Sequence, residues 1–155
     1  MRCVLQRVTR ASVTVDGRLV ARIGPGLVAL VGVAKGDGPT DIEFIASKIR
    51  ELRIFGDEQG RMNRSLVETG GAALVVSQFT LLADVRRGRR PGFDQAAPPD
   101  AARAAYEVLL DRLRQSGVPV EAGVFQAHME VELVNDGPVT IVLDSHGATP
   151  AAPRA

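Results

Sequence analysis

The chain has 155 residues but no tryptophan and a single tyrosine. That scarcity works against a broad aromatic platform for stacking single-stranded nucleic acid. One cysteine, Cys3, excludes an internal disulfide and a cysteine metal cluster. It lies in an apolar stretch and reads as a buried, inert thiol. No apolar run reaches the ~18 residues of a membrane span. Met1 to Arg7 is too short and too charged for a signal peptide, so the expectation is a cytoplasmic protein with no membrane partner. Gly-x-Ser-x-Gly, the phosphate-cradling Gly-x-x-x-x-Gly-Lys-Ser/Thr and paired-histidine zinc signatures are all missing. Neither a metal nor a cofactor is expected. Net charge is +1, which decides nothing about a polyanionic partner.

What is present describes an ordinary globular chain, 45% apolar and 24% charged, long enough to bury a core without staples. We expect one domain over residues 1–145 and a frayed tail over 146–155, where Gly, Pro and Ala follow no period. Val4 to Val15 reads as a strand, with Asp16-Gly17 turning into a return strand that alternates at Leu19, Ala21 and Ile23. Leu27 to Val33 is nearly all apolar and suits a strand buried on both faces. Thr40 is placed to cap a helix carrying Ile42, Ile45, Ile49 and Leu52. Ala73 to Val76 is a short buried strand running on, extended, into Ser77 to Leu81. Residues 84–99 read as an exposed loop. Pro98-Pro99-Asp100 opens a second helix, striped by Ala102, Ala105, Leu109 and Leu113 and ended by Gly117. Val118 to Phe125 and His128 to Val134 are further strands.

This order predicts an α/β domain with mixed, largely antiparallel sheet layers and two main helices. Two helices cannot cover both faces of so many strands. Part of the sheet must pack on another sheet layer or on a second subunit.

Three segments could carry chemistry. Arg86, Arg87, Arg89 and Arg90 crowd around Gly88. Arginine matches phosphate geometry bidentately, so the cluster is a candidate tRNA or RNA backbone contact, or else a solvated loop. Ser77-Gln78-Phe79-Thr80 follows a buried strand. A hydroxyl nucleophile there would need a base, and His128 is the only histidine outside the tail, with no recognisable carboxylate to orient it. The alternative is that the segment works through its backbone, with Phe79 and Thr80 N–H groups aimed at an ester oxyanion. The third segment is Asn135-Asp136-Gly137-Pro138-Val139-Thr140. Alternating residues from Met129 to Val134 precede it and β-branched ones follow, so the Gly-Pro step should turn the chain between two strands. Proline spoils the simplest hairpin turn and leaves a cis bond open.

Taken together, Gln6-Arg7-Val8 with Ala11-Ser12-Val13, Ser77 to Leu81, Arg90-Pro91-x-Phe93 and Met129 through Thr140 resemble the D-aminoacyl-tRNA deacylases over residues 1–144. The resemblance implies a three-layer α/β/β fold and a homodimer. It implies a cis Gly137-Pro138 reaching from one subunit into the other's pocket beside Ser77 to Thr80, and hydrolysis of the ester joining a D-amino acid to tRNA. Arg7 would hold the Gly-Pro loop, and Phe125, Ala127 and Met129 would line the pocket for the adenosine end. Gln126 stands where relatives often carry a small residue, and His128 where many carry an acidic one. Two other readings of the residues stay open. One is an RNA-binding module without chemistry; the other is a hydrolase of small D-amino esters or N-acyl groups, using Thr80 with His128.

Overall fold

The computed structural model describes residues 1–147. The first strand organises the rest. β1 (Arg2–Val15) pairs antiparallel with β8 (Glu130–Asp144) along one edge. Its other edge is shared: the N-terminal half pairs antiparallel with β3 (Gly26–Gly32), and the C-terminal half with β2 (Arg18–Ile23). The β1–β2 turn is the Asp16-Gly17 step, where φ is 49° and 75°, positive at both residues as such a hairpin requires. β3 then pairs parallel with β6 (Ala72–Ser77), and β6 with β7 (Val120–Ala122). A separate two-stranded ribbon joins β4 (Phe55–Gly56) to β5 (Met62–Arg64). β2 packs against β6 and β7, so the sheet curls until it is nearly closed.

Why β1 can serve two cores is written in its register. Cys3 and Leu5 are buried against the helices, whereas Val8, Ala11 and Val13 are buried inside the curl. Strict alternation would send Val8 and Ala11 to opposite faces. Between Val8 and Arg10 the strand advances two residues while β8 moves one, from Asn135 to Val134. That one-residue bulge restores the facing of Ala11 and Val13. β3 and β6 lie unusually close: a Cβ on Gly26 would sit 1.9 Å from the Ala72 carbonyl oxygen, so only glycine fits there.

The outer core is closed by α1 (Pro39–Glu51) and α3 (Pro99–Gln115). Ile42, Ile45 and Ile49 meet Tyr106, Leu109 and Leu113 over the β1–β3–β6 face. The Tyr106 hydroxyl donates to the Val75 carbonyl at 2.8 Å and pins α3 to β6. Cys3 is fully buried in this core, and burial pushes its thiol up to about 12.

Several sequence expectations need correction. Gly38, not Thr40, is the N-cap of α1; Thr40 lies inside the helix, and Asp41 reaches back to accept the Gly38 N–H at 2.9 Å. A third, four-residue helix, α2 (Leu66–Thr69), is closed by a reciprocal Ser65–Glu68 capping box. The chain after β6 does not stay extended but tightens into a 3-10 turn over Phe79–Leu82. The strand expected over Val118 to Phe125 shrinks to Val120–Ala122. The chain does not reverse at Gly137-Pro138 either: both flanks belong to β8 and pair with β1.

His146, which the sequence places in the tail, has partners in the fold. The His146 ring lies 2.8 Å from Asp37 Oδ1, and the His146 backbone N–H donates to Asp144 Oδ1 at 3.0 Å. Residues 148–155 of that expected tail lie outside the described residues.

Candidate active site

The site is built from two structures on opposite sides of the sequence. The first is an excursion from β8. Gln6 pairs with Thr140 and Val8 with Asn135, so five steps on β8 answer two on β1. The three surplus residues bulge out with Gly137 and Pro138 exposed at the tip. Asn135 holds the base, its amide donating to the Arg7 carbonyl at 3.0 Å and to the Val139 carbonyl at 3.1 Å. Arg7 holds the side. Its Nη1 donates to the Ile54 carbonyl at 2.5 Å, and its Nε lies 3.0 Å from Asp136 Oδ2. That pair is an electrostatic contact rather than an aligned hydrogen bond, since Nε finds no hydrogen-bond partner. Gly137 sits at φ 121°, and the Gly137-Pro138 peptide is cis.

The second structure is a cavity of about 780 Å³, within the usual range for a small-molecule site. One wall is the end of β6 with Ser77, Gln78 and Phe79. Another is Phe125 to Met129, and a third is formed by Ala96 to Pro99 with Ala102 of α3. Short backbone bonds hold the third wall to the end of β3, from Ala97 N–H to the Val33 carbonyl and from Lys35 N–H to the Gln95 carbonyl, both 2.9 Å. Phe79 and Phe93 meet edge to face with centroids 5.0 Å apart, joining the 3-10 turn to the arginine loop's base. Of the described residues lining the cavity, none is acidic and Lys35 is the one Lys or Arg.

The Phe79 and Thr80 N–H groups open the 3-10 turn and have no backbone acceptor among the described residues. The Thr80 hydroxyl is held by the Gln78 side-chain amide rather than by a base, and Thr80 is not among the cavity-lining residues. His128 lines the cavity with no carboxylate hydrogen-bonded to it among the described residues. Phe125, Ala127 and Met129 lie on one wall of it. Arg7, Gly137 and Pro138 do not line this cavity within the single chain.

The arginine loop is closed at its base by reciprocal Asp84–Gly92 backbone bonds. Arg86 is already engaged there. Its Nε and Nη2 donate to both Asp84 oxygens at 2.9 and 2.6 Å, and this fork holds the carboxyl at about 2. Arg87, Arg89 and Arg90 are exposed.

Asp37, Asp41 and His146 bring potential metal-ligand atoms within 4.8 Å of one another. The Met1 ammonium already occupies that cluster as its cation, 2.6 Å from both Asp37 Oδ1 and the Ser145 hydroxyl. Asp41 ionises more readily than usual, chiefly because the Ser145 hydroxyl donates to it.

Sequence reasoning missed Lys35 and the Ala96–Pro99 wall, and it left Arg103 unremarked. Only the alanine and proline run before α3 hinted that this stretch packs closely against something.

Known proteins resemble this chain in sequence and in fold. A sequence model of the D-Tyr-tRNA(Tyr) deacylase family matches residues 4–144. A D-aminoacyl-tRNA deacylase of Thermomicrobium roseum is 63% identical over 145 residues, 94% of each chain. One from Symbiobacterium thermophilum is 59% identical, covering 94% of this chain and 96% of its own. Among solved structures, the c-Myc DNA Unwinding Element Binding Protein superposes with a TM-score of 0.89 at 41% identity, covering 97% of this chain and all of that one. A probable eukaryotic D-amino acid tRNA deacylase has the same fold, with a TM-score of 0.74 at 20% identity over 92% of this chain and 97% of its own. This chain belongs to the D-Tyr-tRNA(Tyr) deacylase family.

Proposed function

We propose that this chain hydrolyses the ester bond of D-aminoacyl-tRNA, releasing the free D-amino acid and the tRNA. The observation that carries the reading is a preformed cavity with the Phe79 and Thr80 N–H groups at its edge, which find no backbone acceptor among the described residues, and with no carboxylate bonded to His128 among them. An aminoacyl ester is already activated, so positioning and oxyanion donors can supply much of the acceleration. Water attacks the ester carbonyl, and the Phe79 and Thr80 N–H groups receive the charge that forms on its oxygen. The ribose oxygen then leaves with a proton, and the neighbouring ribose hydroxyl assists. No step requires a metal or a protein acid.

Handedness is read by shape. The exposed Gly137-Pro138 tip completes the cavity of a second subunit and crowds the side on which an L side chain would project. A homodimer is supported by β8, a 15-residue strand whose outer edge pairs with no strand among the described residues. Register also places Val142 beside Val4, and Val4 beside Leu30, so a half-covered apolar stripe crosses three strands on one face. Val142 is 69% exposed in the single chain. Glycine has no side chain to clash, so glycyl-tRNA passes the same filter and is hydrolysed too.

The test is hydrolysis of matched D- and L-aminoacyl-tRNA with no cofactor added. Release of the D-amino acid alone is expected. Equal release of both, or of neither, contradicts the reading.

The exposed arginines contribute to binding the tRNA backbone in translation quality control. Because Arg86 is tied to Asp84, the weight falls on Arg87, Arg89 and Arg90. Replacing these three by alanine should raise KM for the tRNA by about tenfold at low salt, less at high salt, and leave kcat alone. An unchanged KM returns the loop to a solvated surface.

A further inference from the structure

We propose that Arg103 is a phosphate-binding residue at the cavity mouth, gripping the phosphodiester on the 5′ side of the terminal nucleoside of the RNA. The inference rests on the reading of the cavity as the seat of the aminoacylated RNA end.

Arg103 is exposed on α3, next to Ala102, which lines the cavity. Its guanidinium carbon lies 4.6 Å from the centroid of the Phe125 ring, and its Nη2 donates to Gln126 Oε1 at 3.2 Å. Phe125 and Gln126 both line the cavity. Gln126 has a left-handed backbone, φ 65°, which residues other than glycine seldom adopt, and its side chain ends on Arg103.

Several anchored arginines are held by carboxylates, Arg86 by Asp84 and Arg50 and Arg112 by Glu43, whereas Arg53 and Arg64, away from the cavity, are held by Asn63 and by the Glu68 carbonyl. Among the described residues Arg103 is held only by an aromatic face and a neutral amide. Its charge is therefore oriented but not neutralised. A guanidinium carries five N–H donors, and the Gln126 contact uses one. The remaining fork is suited to two oxygens of one phosphate. The cavity beside it has no acidic lining and has Lys35 on its wall, so the local field favours an anion. A stacked and bridged side chain also loses little freedom on binding. Gln126 thereby has a task as the partner that fixes Arg103.

The experiment compares two minimal substrates, the 3′-D-tyrosyl ester of adenosine and the same ester bearing a 5′-phosphate. The wild-type protein should prefer the phosphorylated ester by about tenfold in kcat/KM. Arg103→Ala should bring that ratio close to one, and Arg103→Lys should restore part of it. Arg112→Ala, on the same helix but paired to Glu43, should keep the wild-type ratio. Because the ratio is taken within one variant, general damage cancels. No preference in the wild type, or a preference that survives Arg103→Ala, overturns the proposal and leaves the cavity reading intact. The cavity reading fails separately if Ala102→Trp, which fills the mouth, leaves D-aminoacyl-tRNA hydrolysis unchanged.

Discussion

Replacing Gly137 by alanine should lower hydrolysis of D-aminoacyl-tRNA about 100-fold, the cost of displacing a positioning element by roughly 1 Å. The reason is local. At φ 121° an L side chain is strained, and the new Cβ would lie 2.8 Å from Val139 Cγ2, 3.0 Å from Val139 N and 3.1 Å from Arg7 Nη2. The Val139 backbone cannot withdraw without disturbing the Asn135 amide that holds its carbonyl, and Arg7 is fixed by the Ile54 carbonyl. The tip must therefore move. Stability should change far less than activity, by about 1–3 kcal/mol for one strained residue, because Gly137 and Pro138 belong to neither core. Single-turnover hydrolysis together with a thermal melt separates the two effects. Wild-type rates in a folded Gly137→Ala protein would remove this tip from the mechanism.

The second large effect concerns a backbone atom. Replacing the Thr80 amide by an ester, through an α-hydroxy acid at that position, deletes one N–H and keeps the side chain. If that N–H receives the oxyanion, kcat falls about 100-fold or more, the usual cost of one such donor. The fold should tolerate the change, because the Thr80 N–H has no backbone acceptor to lose. Thr80→Ala should cost less than about fivefold, since the hydroxyl is engaged by Gln78 rather than by a base. The reverse pattern, an inactive Thr80→Ala and an active ester, would assign the chemistry to the hydroxyl.

Much of this was legible in the sequence wherever local chemistry decides the outcome. Asp16-Gly17 specified its hairpin because two adjacent positive φ values admit few residues. The isoleucines of α1 and the leucines of α3 kept helical spacing because each helix buries one face. The Ser77 to Thr80 and Asn135 to Thr140 motifs stood out because their residue types are odd for strand interiors.

What was not legible depends on distant partners. Strand ends on both sides made Gly137-Pro138 look like a turn; only the pairing of both flanks with β1 shows an excursion from one strand. The Val118 to Phe125 run was too long because the chain leaves β6 after Ala122, although β6 itself runs on to Ser77. The Ser65-x-x-Glu68 cap of α2 was a readable signature, but the helix it starts is a single turn with no period to see. Lys35 and the Ala96–Pro99 wall are joined by backbone bonds, which side-chain patterns do not announce. His146 resembled tail until Asp37, 109 positions away, gave it a partner.

In the proposed homodimer, the Gly137-Pro138 tip of one subunit completes the cavity of the other. Mixing two inactive proteins, Gly137→Arg with its tip spoiled and Ala102→Trp with its cavity filled, tests it most directly. Random exchange of subunits should restore about a quarter of the wild-type activity, because each mixed dimer holds one intact cavity facing one intact tip. Restored activity should keep the preference for D over L substrates. A mixture of exchanged, folded dimers that stays inactive would place tip and cavity in the same chain and contradict the account.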